Sequence, residues 1–202
     1  MLDRHALDFL KPATTAVARA IHTRGISANQ LSLVGFAIGV TAAILIAFEH
    51  YWLALAAIAL NRTFDGLDGA VARLSTPTDR GAFLDITLDF LFYAAIPLGF
   101  AIADPASNAL AAAVLLVAFI GTGTSFLAYA IIAAKRGVSS TAYPSKGFYY
   151  LGGLTEGAET ILCFVLMCVW PQHFASFAYV FAALCAVTIA TRLLAGWRAF
   201  KS

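Results

Sequence analysis

Five of the chain's eleven acidic residues, Asp65, Asp68, Asp79, Asp85 and Asp89, crowd into one run, NRTFDGLDGAVARLSTPTDRGAFLDITLDF, which covers Asn61–Phe90. On a helix, Asp65, Asp68, Gly69, Ala72 and Arg73 stand at i, i+3, i+4, i+7 and i+8 and share one stripe. Asp85 and Asp89 are spaced i, i+4 at the start of the next apolar run. Two helices joined by the short break RLSTPTDRG bring these ends together, so four carboxylates meet. Carboxylates about 4 Å apart repel by roughly 4 kcal/mol per pair at an effective dielectric of about 20. Divalent cations relieve that repulsion. An all-oxygen ligand set selects Mg²⁺, Mn²⁺ or Ca²⁺, and no Cys/His set stands by for zinc. Two ions about 3.5–4 Å apart suit phosphoryl transfer, because they stabilise the attacking and the leaving oxygen together. Gly69 and Ala72 let a ligand approach the helix backbone, and Arg73 offers a guanidinium fork to a phosphate. Acids, small residues and an arginine on one stripe read as a metal site joined to a nucleotide diphosphate. Asp79 and Arg80 fall in the break and read as solvated.

The elements that must position these residues are membrane helices. Of 202 residues, 61% are hydrophobic and 12% charged, against about 45–50% and about 25% in soluble domains. At about 20 residues per span, the length accommodates about six helices and no second domain. Six apolar segments can be read, roughly 31–48, 52–72, 82–103, 109–134, 148–169 and 174–195. The expected fold is therefore all-α: a polytopic membrane protein with one six-helix bundle over 31–195 in a single domain of 1–202. Arg4, Lys11, Arg19, Arg24, Arg73, Arg80, Lys135, Arg136, Lys146, Arg192, Arg198 and Lys201 all fall on one side of that plan, and Arg62 lies inside the second segment. By the positive-inside rule that side is cytoplasmic and both termini are inside, and the expected location is the cell (inner) membrane.

Residues 1–25 mix charges into the apolar pattern, so a cleavable leader is not expected there. Leu7, Leu10, Val17 and Ile21 recur at near-helical spacing, which fits a helix in the cytoplasmic interface ended by Gly25, or one packed on the bundle. Ser27 or Asn29 caps the first span. Cys163, Cys168 and Cys185 lie in apolar runs without CxxC spacing and read as small buried hydrophobes.

The sequence resembles the CDP-alcohol phosphotransferase (CDP-alcohol phosphatidyltransferase) family. DGLDGAVAR followed by GAFLDITLD matches D-x-x-D-G-x-x-A-R, then G-x-x-x-D-x-x-x-D, at Asp65, Asp68, Gly69, Ala72, Arg73, Gly81, Asp85 and Asp89. The GISANQLSLVGF entry to the first span is similar too, and KGFYYLGGLTEGAET resembles a short bacterial subgroup. The resemblance implies transfer of a phosphatidyl or other phospho-alcohol group from a CDP-linked donor, usually CDP-diacylglycerol, to an alcohol hydroxyl, with loss of CMP, in phospholipid biosynthesis. It implies two divalent cations, Mg²⁺ or Mn²⁺, on Asp65, Asp68, Asp85 and Asp89, with Asp89 also the base. It implies Asp68, Gly69, Ala72, Arg73 and Gly81 around the nucleotide, and a homodimer.

The acceptor side is less defined. Arg136 and Lys146, with Lys135, either meet an acceptor phosphate or simply obey the topology rule. Glu156 and Glu159, i, i+3 in the fifth segment, face an acceptor pocket or pair with Arg62, itself a pocket candidate. Glycerol 3-phosphate, inositol phosphate, serine and a second lipid all fit as acceptors, and the basic cytoplasmic side favours a phosphorylated or polyol one. A cation-coupled transporter would place its acids near the midplane on broken helices, and a silent scaffold would have lost an aspartate. Nucleic-acid binding is not expected, because the basic residues follow topology and form no compact patch.

Overall fold

The computed structural model describes residues 14–76, 78–137 and 153–201. Among these the chain is helical, with no strand. A short α1 covers residues 14–23. It is followed by α2 (Ala28–Ala47), α3 (Tyr51–Leu74), α4 (Asp79–Ala103), α5 (Pro105–Lys135), α6 (Gly157–Val169), a 3-10 turn (Pro171–His173) and α7 (Phe174–Ala199). The protein is a polytopic membrane protein. Four stretches, Ala28–Ala47, Asp79–Ala103, Pro105–Lys135 and Pro171–Ala199, are long and apolar enough to cross a bilayer. At 24 residues α3 has the length, but Arg62, Asp65, Asp68 and Arg73 interrupt its apolar run. At 13 residues, α6 is shorter than the about 20 that a span requires. Large apolar side chains such as Trp52, Leu110, Val117 and Ile131 are exposed around the bundle, where acyl chains rather than water can cover them.

Local signals set the helix ends. Gly25 ends the α1 turn at φ 78°, a left-handed conformation that costs glycine little. Of the two cap candidates, Ser27 is the one used: its Oγ accepts from the Gln30 N–H, and the Gln30 side chain accepts from the Ser27 N–H at 2.9 Å. Thr78 caps α4, so Asp79 and Arg80 lie in its first turn rather than in the preceding break. Asp104 caps α5, with Pro105 in the first turn where its missing N–H costs nothing. In α1 the inward residue is Ala18, packed with Leu31, Ala70 and Val71; Val17 points outward. Leu7 and Leu10 lie outside the described residues.

The packing order matters for the site. As the short break implies, the acidic ends of α3 and α4 converge, while along their lengths each packs on α2. Small residues on α2 and α4 permit this. A Cβ on Gly99 would lie 2.6 Å from the Ala43 carbonyl, and one on Gly39 would lie 2.6 Å from Phe92 Cδ2. A second pairing, α5 on α7, closes the far wall, and α6 leans on α3 and α7. The core between them is aromatic: Phe100 stacks on Phe174 at 4.5 Å, and Phe164 sits edge-on to Phe92 and Phe119 at 6.2 and 6.3 Å.

Candidate active site

The gap between the ends of α3 and α4 is filled by carboxylates. Asp65, Asp68 and Asp85 each present an oxygen within 4.8 Å of the others. Asp68 is buried and accepts a 2.6 Å hydrogen bond from Ser32 Oγ on α2; Asp85 is exposed. Such a bond orients a ligating carboxylate from outside. Asp89, one turn along α4, lines the same gap beside this trio. Its Oδ1 accepts from Arg62 Nη2 at 3.0 Å, and Arg62 Nη1 reaches Asp65 Oδ2 at 3.4 Å. Arg62 therefore pairs with Asp65 and Asp89, not with Glu156 or Glu159.

Around the trio, the helix ends supply the remaining residues of the stripe. Arg73 is exposed in the last turn of α3, and its Nη1 lies over Gly69, 3.3 Å from where a Cβ would stand. Ala72 sits one turn from Asp68 on the same helix. The Gly81 N–H donates to Thr78 Oγ1 at 3.1 Å, and a Cβ there would lie 3.2 Å from Asn29 Oδ1, so the starts of α2 and α4 touch. Gly69, Ala72, Arg73 and Gly81 do not line the gap itself, which Ser32, Arg62, Asp65, Asp68, Asp85 and Asp89 border. The donor set is all oxygen, with three converging carboxylates, which is what a hard divalent cation requires.

Asp65, Asp85 and Asp89 also open onto a cleft of about 800 Å³ lined by residues of α3 to α7 and of the segment before α6. Its far wall carries Thr122, Thr155, Glu156 and Arg192, and its sides are apolar, with Phe90, Tyr93, Phe119 and Phe126. Among the proposed acceptor residues, Arg62 and Glu156 line it. Glu159 does not line it, and Arg136 is exposed at the end of α5, donating to the Lys201 and Phe200 carbonyls at 3.3 and 3.1 Å. Lys146 lies outside the described residues.

The start of α6 departs from expectation. Glu156 is its N-cap rather than a residue within a span. Glu156 Oε1 accepts from the Gly153 N–H at 2.8 Å, and Glu159 Oε2 accepts from the Glu156 N–H at 3.1 Å. Both carboxylates thus satisfy backbone donors at a helix start that faces a cavity, where non-helical backbone is tolerated. Thr188 on α7 completes that role. It is fully buried, and its Oγ1 accepts from the Leu154 and Thr155 N–H groups at 3.1 and 3.2 Å.

Arg192 and Tyr93 are among the cavity residues not singled out in the sequence. Arg192 counts there among the basic residues that mark the cytoplasmic side, yet it is buried within α7. Its Nη1 donates to the Thr122 carbonyl at 2.9 Å, and its guanidinium lies 5.6 Å from the Phe126 ring centre. Tyr93, on the Arg62 side, is the other. A buried cation and a carboxylate cluster open onto the same cavity, an arrangement suited to moving a phosphorylated group.

The fold and this site define a polytopic membrane protein with an all-oxygen site for a divalent cation at one end of its bundle. The CDP-alcohol phosphatidyltransferase family model matches residues 26–193, and the chain belongs to that family. It is 54% identical, over 202 residues, to the Inner membrane protein YnjF of Escherichia coli K12, covering 100% of this chain and 98% of that one. It is 33% identical over 94 residues to the Archaetidylinositol phosphate synthase of Pyrococcus horikoshii, covering 46% of this chain and 50% of that one. Its fold is similar to the crystal structure of Mycobacterium tuberculosis phosphatidylinositol phosphate synthase (PgsA1) with CDP-DAG bound, with a TM-score of 0.74 at 22% identity, over 91% of this chain and 93% of that one. The same enzyme in complex with manganese and citrate aligns with a TM-score of 0.73 at 22% identity, over 91% and 88% of the two chains.

Proposed function

We propose that the chain transfers the phosphatidyl group of CDP-diacylglycerol, or of a related CDP-alcohol, to the hydroxyl of an alcohol, releasing CMP. The observation that carries this reading is the junction of two compartments: the carboxylate gap of Asp65, Asp68 and Asp85 opens, past Asp89, into the cavity that holds Arg192.

In this reading Asp65, Asp68, Asp85 and Asp89, which line one gap, hold two divalent cations, Mg²⁺ or Mn²⁺, against the donor diphosphate. When bound, the cations neutralise phosphate charge and make CMP a better leaving group. Arg73 meets a donor phosphate over Gly69, with Ala72 and Gly81 beside the cytidine. Asp89 takes the acceptor's proton. The acceptor oxygen forms a bond to the phosphatidyl phosphorus, and the bond from that phosphorus to the bridging diphosphate oxygen breaks. That oxygen leaves with CMP.

The acceptor occupies the cavity, where Arg192 faces an anionic group and Glu156 faces hydroxyls. A phosphorylated or polyol acceptor fits those partners best. A lipid donor accounts for the site's position at the end of a membrane bundle. The distribution of basic residues supports six spans in a single domain, α3 and the short α6 crossing along with the four longer stretches, with both termini and the aspartates on the cytoplasmic side. A homodimer is the expected assembly.

The test is release of CMP by the purified protein in lipid with CDP-diacylglycerol, Mn²⁺ or Mg²⁺ and a panel of alcohols. The reading expects metal-dependent release with one acceptor class and a phospholipid product that carries that acceptor. Absence of release and of metal-dependent donor binding, in folded protein, would overturn it.

A further inference from the structure

Tyr93 continues the acidic stripe of α4. Asp85, Asp89 and Tyr93 stand at i, i+4 and i+8, so the tyrosine follows Asp89 by one turn on the same face. The stripe crosses a boundary: Asp85 and Asp89 border both the carboxylate gap and the cleft, whereas Tyr93 borders the cleft alone.

The ring is held from several sides. Phe92, Phe164 and Phe119 surround it at centroid distances of 5.7, 6.3 and 6.5 Å, and the Arg62 guanidinium lies 5.7 Å from its centre. Arg62 is in turn tied to Asp89 at 3.0 Å, so the ring and the carboxylate keep a fixed relation. A phenylalanine would serve this packing equally well, and the packing therefore does not account for the hydroxyl. That hydroxyl reaches the start of α6, 3.5 Å from where a Cβ on Gly157 would stand, and the glycine leaves the space open. Among the described residues none hydrogen-bonds it. A tyrosine hydroxyl withdrawn from bulk water normally finds a partner, and here the cleft is the place left for one.

The surroundings select the partner. Asp65, Asp85 and Asp89 at this end of the cleft repel an anionic group, and the Arg192 guanidinium that would attract one is on the far wall. A neutral hydroxyl, which both donates and accepts, suits the position. We propose that Tyr93 is an acceptor-binding, specificity-determining residue: its hydroxyl hydrogen-bonds a second hydroxyl of the acceptor and so holds the attacking hydroxyl at Asp89. The inference rests on the functional reading above and narrows it, because the chain then selects polyol acceptors over alcohols with one hydroxyl.

The test is CMP release by the full chain in lipid nanodiscs with CDP-diacylglycerol and Mn²⁺, using three probes. Glycerol 3-phosphate and myo-inositol 1-phosphate carry further hydroxyls, and 3-hydroxypropyl phosphate carries one. The wild type is expected to prefer a polyol phosphate. Tyr93→Phe is expected to raise the KM for that polyol about 3–10-fold, the worth of one neutral hydrogen bond, with the donor KM and the KM for 3-hydroxypropyl phosphate unchanged. Gly157→Ala, which favours the helix and sets a methyl against the hydroxyl, gives the same selective loss should the first variant fold poorly. An equal rise for all probes, or no rise in a folded variant, overturns the proposal alone. So does a wild type that binds the donor but takes neither polyol, or takes 3-hydroxypropyl phosphate as well as either of them. Absence of both CMP release and metal-dependent donor binding in the wild type overturns the proposal together with the reading on which it rests.

Discussion

At the scale of single residues, the site divides into groups that meet the ion and groups that orient them. Ser32 belongs to the second kind: its hydroxyl, 2.6 Å from Asp68 Oδ2, orients the most buried carboxylate of the trio. Removing such a partner typically costs about 10–100-fold in metal affinity. Ser32→Ala is therefore expected to weaken Mn²⁺ binding by about tenfold or more, measured by titration calorimetry, and an unchanged affinity would show that Asp68 needs no external orientation. The aspartates were legible in the sequence because helical spacing alone puts Asp65 and Asp68 on one stripe and Asp85 and Asp89 on another. Arg192 was not. Near the end of a span, topology already accounts for an arginine, and whether its guanidinium turns inward depends on the rotation of α7 against α5, which one sequence does not encode in a short motif. The Arg62–Asp89 pair was hidden for a similar reason, since it joins two helices that are both positioned by a third.

At the scale of elements, α2 is the reference on which α3 and α4 are set. Its glycines make the distances between helix axes short enough for Asn61 and Phe92 to interlock. Gly39→Val would push branched carbons into Phe92 and Asn61. Overpacking of this kind costs about 1–3 kcal/mol, so thermal unfolding in lipid is expected at lower temperature, and an unchanged midpoint would mean that the helices yield. A different device holds α6. Thr188 accepts two backbone N–H groups and, fully buried, has no water to replace it. Thr188→Val leaves those donors unsatisfied, at about 1–3 kcal/mol. It is also expected to raise the acceptor KM several-fold while leaving the donor KM unchanged, because Glu156 and the 153–156 segment lose their tie to α7. Equal changes in both constants would contradict a role confined to the acceptor wall. The apolar run around 148–169 revealed that a helix exists there; the Glu156–Glu159 capping box sets its start, and what the sequence hid is the tie of the preceding Thr155 to Thr188, 33 residues further along the chain.

Over the whole molecule, membrane insertion and catalysis share one asymmetry. In the proposed topology basic residues gather on the side of the carboxylate gap, and the breaks at Glu49–Tyr51, Asp104–Asn108 and Trp170–His173 carry no Lys or Arg. In intact cells, a membrane-impermeant thiol reagent added outside is expected to label Ser107→Cys but not Thr78→Cys; both positions are exposed, whereas the three native cysteines are buried. The reverse pattern would invert the topology and put the nucleotide site on the wrong face. The composition made the membrane class and the all-helical fold legible at once, because a chain so poor in charge cannot cover itself with a polar surface. The route by which an acceptor cavity forms between helix pairs was not legible, because it depends on which helices fail to touch.

The most direct test of the central claim is CMP release from CDP-diacylglycerol with Mn²⁺, comparing the wild-type chain with Asp89→Asn in lipid. The account predicts that the variant still binds Mn²⁺ and donor but releases CMP about 10²–10⁴-fold more slowly, the usual worth of a general base. Release at the wild-type rate by the variant would contradict it, and with it the assignment of Asp89 to the acceptor's proton.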